Sequence, residues 1–445
     1  MKPVHRRCRS ALGALPFLLL AGCEEAEQVL DHYRDLTPHE AYLESLRTAG
    51  LAETALGRDW TRAAEAALTA SQAVALPFQE EGYLPPEEPT AVGYRITLDR
   101  GRVLRARVEV DGGDSLRLFL DLFRVPSETD APLRPVLSAD TVAGALTYEP
   151  YRGGEYILRL QPELLRGGRY RLVLTLDASL AFPVEGVDDR AVHSSFGADR
   201  DGGRRRHNGV DIFAPRGTPA LAAAEGVVTR VNTTRLGGNV VWIRDARRSA
   251  RLYYAHLDTQ LVARGDRVRV GDTVGLVGNT GNAITTPPHL HFGVYIDGPT
   301  DPLPFIRPAR RTPPRVAGSA LVGAWVRARA SVALRDRPGE DGSVTAELSR
   351  HAPLRVTAGA GRWYRVGLPD GRSGWVPVAS MEAVGSAIRD LVADRRAILR
   401  ARPDASAPVV AGIEPGTTLP VFGAFGGFAL VETPLGRRGW MSEGG

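Results

Sequence analysis

Between residues 90 and 178 the apolar side chains recur with a period of two, and that alternation constrains the fold more than any other feature. Leu104, Ala106, Val108 and Val110 alternate with arginines and Glu109. Leu116, Leu118, Leu120 and Leu122 alternate with Arg117, Phe119, Asp121 and Phe123, and Tyr170, Leu172, Leu174 and Leu176 repeat the pattern. Successive side chains of a strand point to opposite faces, so each run can bury one face and wet the other. GG and DGG turns separate the runs, which predicts an antiparallel β-sandwich over residues 88–180.

At 445 residues the chain is too long for one ordinary domain. The expected architecture is mostly β and multidomain, with a short helical N-terminal segment. Residues 23–85 read as a helical spacer, in which TPHE (37–40) supplies Thr37 as N-cap, Pro38 at the first helical position and Glu40 to close a capping box. Gly50 ends that helix, a second starts near Asp59, and PPEEP (85–89) breaks the pattern. The order of segments after it, with DSLRLFLDLF, GGEYILRL and GGRYRLVLTL, resembles the pre-peptidase C-terminal domain found beside secreted bacterial proteases. PARRTPPR (308–315) begins a linker over 308–319. The C-terminal part contains an internal repeat: VALRDRPGEDGSVTAEL (332–348) matches AILRARPDASAPVVAGI (397–413), and each copy ends in a Gly-Trp step, at Trp375 and Trp440. The pair resembles two bacterial SH3-like modules, over 320–384 and 385–445, which implies two small β-barrels. Trp363, Tyr364 and Trp375 are candidates for a ligand groove, while Trp375 and Trp440 read better as core residues.

At the N-terminus Lys2, His5, Arg6, Arg7 and Arg9 precede a short apolar run, ALGALPFLLLAGC (11–23). The run is too short to span a bilayer and reads as an export signal over 1–22. Leu20-Ala21-Gly22-Cys23 resembles a bacterial lipobox, which implies lipidation of Cys23 and a membrane-anchored protein of the cell envelope. No cysteine follows Cys23, so the exported domains have no internal disulfide and no thiol ligand for a metal. Lys2 is the only lysine, and the arginines are spread without a dense basic run carrying aromatics; DGGRRRH (201–207) comes nearest. Nucleic acid is therefore not an expected partner.

Five of the nine histidines, His193, His207, His256, His289 and His291, fall in the Gly-rich β segment from about 190 to 306. In PPHLHFGVY (287–295) His289 and His291 share one face of a strand, with Leu290 and Phe292 on the other. A hydrolytic zinc site uses three protein ligands and keeps one position open for water. His291 offers one ligand, and HNGVD (207–211) offers a pair. On an extended strand His207 and Asp211 would stand roughly 13 Å apart, four rises of about 3.3 Å, so the chain must bend at Asn208-Gly209 for them to converge. His207, Asp211 and His291 then supply two imidazoles and a carboxylate for Zn2+. His289 shares the face of His291, and His256 in YYAHLD (253–258) reaches the site from a neighbouring strand; both can serve proton transfer and oxyanion stabilisation.

HNGVDIFAPRGTPALAAAEGVV, GGNVVWI, YYAHLD and GDTVGLVGNTGNAITTPPHLHFGVY, in that order, resemble the lysostaphin-type zinc metallopeptidases, which cut peptide bonds of bacterial peptidoglycan. The resemblance covers about a hundred residues within an expected domain over 186–307. It implies zinc on His207, Asp211 and His291, with His289 and His256 acting on water and substrate. Pro287-Pro288 depart from the Gly-Pro step more frequent in the family, and His193 matches no motif position and reads as a surface histidine. Arg200, with Arg204, Arg205 and Arg206, lies on the approach to His207 and is a candidate contact for substrate carboxylates, which favours D-alanyl direct cross-links over pentaglycine bridges. Two other readings stand beside the enzyme: a silent scaffold of the same fold that binds cell wall and activates an amidase, and a general secreted protease.

Overall fold

The computed structural model describes residues 36–111, 117–126, 133–139, 144–309 and 312–443. The export signal, Cys8 and Cys23 lie outside the described residues. No described helix is long and apolar enough to cross a membrane. The chain divides into two units, residues 1–61 and 62–445.

In the first unit the helix Pro38–Thr48 starts with the expected capping box: Glu40 N donates to Thr37 Oγ1 and Thr37 N donates to Glu40 Oε2, at 3.3 and 2.9 Å. Gly50, with φ +70°, follows in the left-handed conformation that ends helices. His39 stacks on Trp60 with ring centroids 4.6 Å apart. The second helix, Ala55–Thr69, begins four residues before the expected Asp59.

The second unit is built of sheets. The sandwich holds one sheet of Gln72–Ala73, Val92–Leu98, Gly154–Pro162, Leu118–Arg124 and Pro135–Ser138. The facing sheet contains Phe78–Leu84, Gly168–Ala178, Arg102–Val110 and Ala145–Tyr148. Leu104, Ala106, Leu118, Leu120, Leu122, Leu158, Leu172 and Leu174 meet between the two sheets, on the faces that alternation assigned to the core. One departure is that Phe119, Asp121 and Phe123 are buried too, because Asp121 pairs with Arg159 at 2.8 Å and Arg159 lies over the Phe123 ring.

The helical spacer does not extend to residue 85. Phe78–Leu84 is a strand of the sandwich, paired with Gly168–Ala178. Its sequence, FQEEGYL, conceals this because Glu80 faces inward, wholly buried. Tyr94 Oη, Tyr170 Oη and Arg365 Nη2 donate to Glu80 Oε1 at 2.6, 2.5 and 3.0 Å. Those partners lie up to 285 residues away, so a local reading sees only a polar segment.

Arg365 belongs to the first SH3-like module, whose strand Pro353–Ala360 pairs with Phe78–Leu84 and makes the two domains share a sheet. Trp375 packs in the sandwich core and Tyr364 in the module's own. Both are 1% exposed, while Trp363 is half-buried and lines a cavity with Pro77, Phe78 and Arg337, so the three aromatics do not line one common groove. Trp440 is buried, as expected. The modules also lock to each other: Arg327 binds Glu382 Oε1 at 2.6 Å and donates to the carbonyls of Ser386 and Phe422.

A ten-stranded sheet follows, along its main path, the order Val192–Ser194, Val210–Phe213, His289–Tyr295, Ala250–Gln260, Gly238–Asp245, Gly226–Thr234, Arg267–Val268. Its core runs from Leu180 to Ile306, so it begins six residues before the expected start at 186. Arg248 joins it to the sandwich by gripping Glu149 with Nε and Nη2, at 2.6 and 3.1 Å.

Candidate active site

The strand His289–Tyr295 buries Leu290, Phe292 and Val294 completely, so His289 and His291 face outward together. Its two neighbours place Asp211 and Ala255 opposite His291, and Phe213 opposite His289. Residues directly opposite share a face, so strand register alone carries Asp211 to His291.

His207 arrives from the loop before Val210, where the chain bends at Gly209. Its Nε2 lies 2.9 Å from Asp211 Oδ1, so the expected convergence is made. A Cβ on Gly209 would stand 2.4 Å from the Phe292 carbonyl oxygen and 2.8 Å from His291 Nε2. Glycine is what lets the chain pass there.

His207 Nε2, Asp211 Oδ1 and His291 Nδ1 are mutually 2.9 Å apart. Among the described residues these three form the one group of His, Cys, Asp or Glu side chains close enough to hold a metal ion. His207 Nδ1 donates to the Ser195 carbonyl at 2.9 Å, which leaves a lone pair on Nε2. With neutral imidazoles, at most one hydrogen is shared among three acceptor atoms, a donor set that a cation satisfies. Burial alone would raise the Asp211 carboxyl, but its contacts with the His207 and His291 imidazoles outweigh it and hold it well below the usual carboxylate range. Burial lowers His291. Asp211 and His291 are thus held in the deprotonated forms that metal binding requires.

His256 sits where its strand slips register against Gly238–Asp245, between Tyr254 and Leu257, with φ at +62°. Such bulges re-aim side chains, and non-glycine residues hold a positive φ only where surroundings enforce it. Here its backbone N–H donates to Gly237 O at 2.7 Å and its Nδ1 to Thr280 O at 2.9 Å. The ring lies 5.1 Å from that of His289 and 5.9 Å from that of His291. Burial, then the neighbouring His291, lower its pKa to about 4. His289 Nδ1 donates to Pro287 O at 2.9 Å and its ring stacks on Phe213 at 5.0 Å. Carbonyls only accept, so both imidazoles carry a proton on Nδ1, and His256, held neutral by its burial, keeps a lone pair on Nε2.

Arg200 lines the cleft but is not free for substrate. Its Nη2 donates to Asp211 Oδ2 at 2.5 Å and to Ser194 Oγ at 2.6 Å, because the hairpin Asp199–Arg200/Arg205–Arg206 folds back over the ligand strand. Arg200 therefore occupies the carboxylate oxygen that Asp211 turns away from the histidines. His193 is exposed, as expected, yet it stacks on Phe213 at 5.2 Å and forms part of the cleft wall. Tyr253, absent from the sequence reading, stands edge-on to the His291 ring at 5.7 Å. Only the pairing of Tyr253 with Gly293 reveals that it, and not the buried Tyr254, faces the site. The cleft has a volume of about 510 Å3 and is lined entirely by residues between His193 and Tyr295.

Residues 205–302 match Peptidase family M23, and residues 328–380 and 395–445 each match a bacterial SH3 domain. Three relatives are similar to part of the chain. The peptidoglycan DD-endopeptidase ShyC of Vibrio cholerae is 38% identical over 122 residues, 26% of this chain and 28% of that protein. The L-Ala--D-Glu endopeptidase of Bacillus subtilis is 39% identical over 140 residues, 28% of this chain and 43% of its own. The DD-carboxypeptidase/endopeptidase Mpg of Neisseria meningitidis is 43% identical over 100 residues, 22% of each chain. The matched part thus spans less than half the length of each relative. The segment that carries the histidine–aspartate cluster is similar to M23 peptidases, and the two modules after it are similar to bacterial SH3 domains.

Proposed function

We propose that the protein is a zinc-dependent endopeptidase that hydrolyses peptide cross-links of bacterial peptidoglycan, with D-alanyl direct cross-links as substrate. The observation that carries this reading is the convergence of His207, Asp211 and His291 at 2.9 Å beside two further histidines with a free Nε2. His207, Asp211 and His291 would hold the ion; zinc there supplies Lewis acidity toward a water and a scissile carbonyl. His256, neutral at physiological pH, accepts a proton from the attacking water through Nε2 and returns it to the leaving amine. His289, fixed through Nδ1 by Pro287 O and stacked on Phe213, would donate an Nε2–H to the carbonyl oxygen as the imidazolium and so steady the charge that develops on it. The DD-endopeptidase names of two of the three relatives support the D-alanyl bond.

The same reading places the protein in the cell envelope, held by lipid on Cys23, with the SH3-like modules contacting wall. A single acyl chain binds membranes only marginally, so stable anchoring requires more than one. Cys23→Ser is expected to move the protein from membrane to soluble fractions, and continued membrane association would refute the anchor. For the activity, gels embedded with peptidoglycan or with casein separate a wall enzyme from a general protease. Mass spectrometry of digested cross-linked muropeptides then reads the bond, with dimers becoming monomers as the expected result. A chain that binds about one zinc yet leaves peptidoglycan uncut would overturn the enzyme reading in favour of the scaffold.

A further inference from the structure

Beyond the ligand cluster the outward face of the same sheet continues in two ordered rows. One row crosses four strands as Gly293, Tyr253, Trp242 and Arg230, and the next runs Tyr295, Arg251 and Arg244. Directly paired residues share a face, as do alternate residues of one strand, so both rows lie on the face that bears His291. The rings of Trp242, Tyr253 and Tyr295 form a cluster, with centroids 4.4, 5.1 and 6.4 Å apart. All three are half-buried, so the cluster keeps one side open. A Cβ on Gly293 would meet Tyr295 Cε2 at 2.9 Å, so glycine lets that ring lie across the sheet.

Arg244 and Arg251 are exposed and stand directly opposite each other on adjacent strands. Like charges in that position destabilise a sheet. Among the described residues neither they nor Arg230 has a carboxylate partner. The fold thus carries a repulsion that no internal partner relieves, next to an aromatic platform that leads to the candidate metal site. Arginine forks match carboxylates in charge and in shape.

We infer that this face binds the carboxylate-bearing peptide arm of the wall polymer, with Arg244 and Arg251 clamping a carboxylate and the Trp242–Tyr253–Tyr295 cluster supporting the chain between clamp and cleft. The ligand's identity rests on the proposed function. From His291 to the level of Tyr295 and Arg251 is roughly 13 Å along the strand, which an extended peptide crosses in about four residues. A carboxylate on the arm being cut can therefore reach the clamp while its cross-link lies at His291. The carboxylate recognition that the sequence suggested for Arg200 falls instead to these two arginines.

The test is binding, measured by calorimetry on the full chain, with an uncross-linked stem tetrapeptide bearing free carboxylates and the same peptide amidated. The expected result is at least about tenfold tighter binding of the acid form, from charge-assisted hydrogen bonds. That preference should vanish in Arg244→Gln/Arg251→Gln and persist in Arg166→Gln, an exposed arginine in a turn of the sandwich. In turnover the double variant should raise KM for acid substrates and leave kcat unchanged. Equal affinity of the native chain for the two peptides, or a preference that survives the double substitution, overturns the clamp. A native chain that prefers the acid peptide but cuts no cross-link refutes the peptidase reading alone. One that cuts acid and amidated cross-links with equal KM refutes the clamp alone.

Discussion

Gly209→Ala is a one-methyl perturbation aimed at the candidate metal site from the bend just before the strand Val210–Phe213. The added Cβ would lie 2.4 Å from the Phe292 carbonyl oxygen, a backbone atom of the strand that carries His291, and 2.8 Å from His291 Nε2. Ordinary contact needs about 3.4 Å, so strand and ring must separate by roughly 1 Å. Overpacking of this kind costs about 1–3 kcal/mol. Alanine also stiffens the unfolded chain, which returns about 0.4–1 kcal/mol. The clash wins, leaving a net loss of about 1–2 kcal/mol in the metal-free protein. The larger effect falls on the ligands, because His207 and Asp211 flank the bend and His291 takes the direct contact. A ligand atom displaced by a good fraction of an ångström leaves the 2.0–2.2 Å bond range, so zinc affinity should fall at least about 10-fold, the lower end of what losing a ligand-orienting partner costs. Competition with a chromophoric chelator measures the affinity, and thermal melting of the chelated protein measures the stability. Native-like zinc affinity together with an unchanged melting temperature would show that the bend tolerates a side chain and would refute the close-approach argument.

His207→Ala combined with Asp211→Ala should abolish stoichiometric zinc by metal analysis, and unchanged metal content would remove both as ligands. For His256, whose folded pKa is about 4 against an ordinary value near 6.5, the unfolded chain binds more protons between those limits. Stability is therefore full above about pH 6.5, declines as pH falls, and has lost up to about 3 kcal/mol by pH 4 in the metal-free chain. Imidazole NMR shifts should show His256 neutral at pH 5, and a midpoint near 6.5 would contradict its burial; His256→Asn, which tolerates the positive φ, should flatten that part of the stability profile. Glu80→Ala leaves the Arg365 guanidinium, 14% exposed, without its counter-charge between sandwich and first SH3-like module. Removing one member of a buried pair costs about 3–5 kcal/mol, so melting should fall by several degrees, and a neutral outcome would mean that water replaces the carboxylate.

How much of this was visible in the sequence depended on the range of the interaction. The core faces of Arg102–Val110 and Gly168–Ala178, the capping box at Thr37 and the shared face of His289 and His291 are set by residues two to four positions apart, and a local reading finds all of them. The meeting of His207 with Asp211 was visible for the same reason, since the bend they need lies between them. The strand Phe78–Leu84 was not, because its polar Glu80 is made tolerable by Tyr94, Tyr170 and Arg365, distant in sequence. Nor was the engagement of Arg200 with Asp211, which follows from a hairpin folding back over the ligand strand.

Register is the quantity that the missing part required. Alternation says which residues of YYAHLD share a face, but not which face meets His291, and a shift by one residue would exchange Tyr253 for Tyr254. The pairing of Ala255 with His291 settles that choice and brings Tyr253, Trp242, Arg251 and Arg244 onto the side of the cleft. The bulge at His256 then breaks the alternation at one residue, so that the histidine turns toward its partners while Leu257 returns to the core. In a continuous strand His256 and Tyr254 would share a face, and Tyr254 is fully buried. The positive φ of His256 is therefore the local strain that lets one strand serve both the core and the site, and a reading based on a strict period of two places that side chain correctly only by allowing the period to fail there.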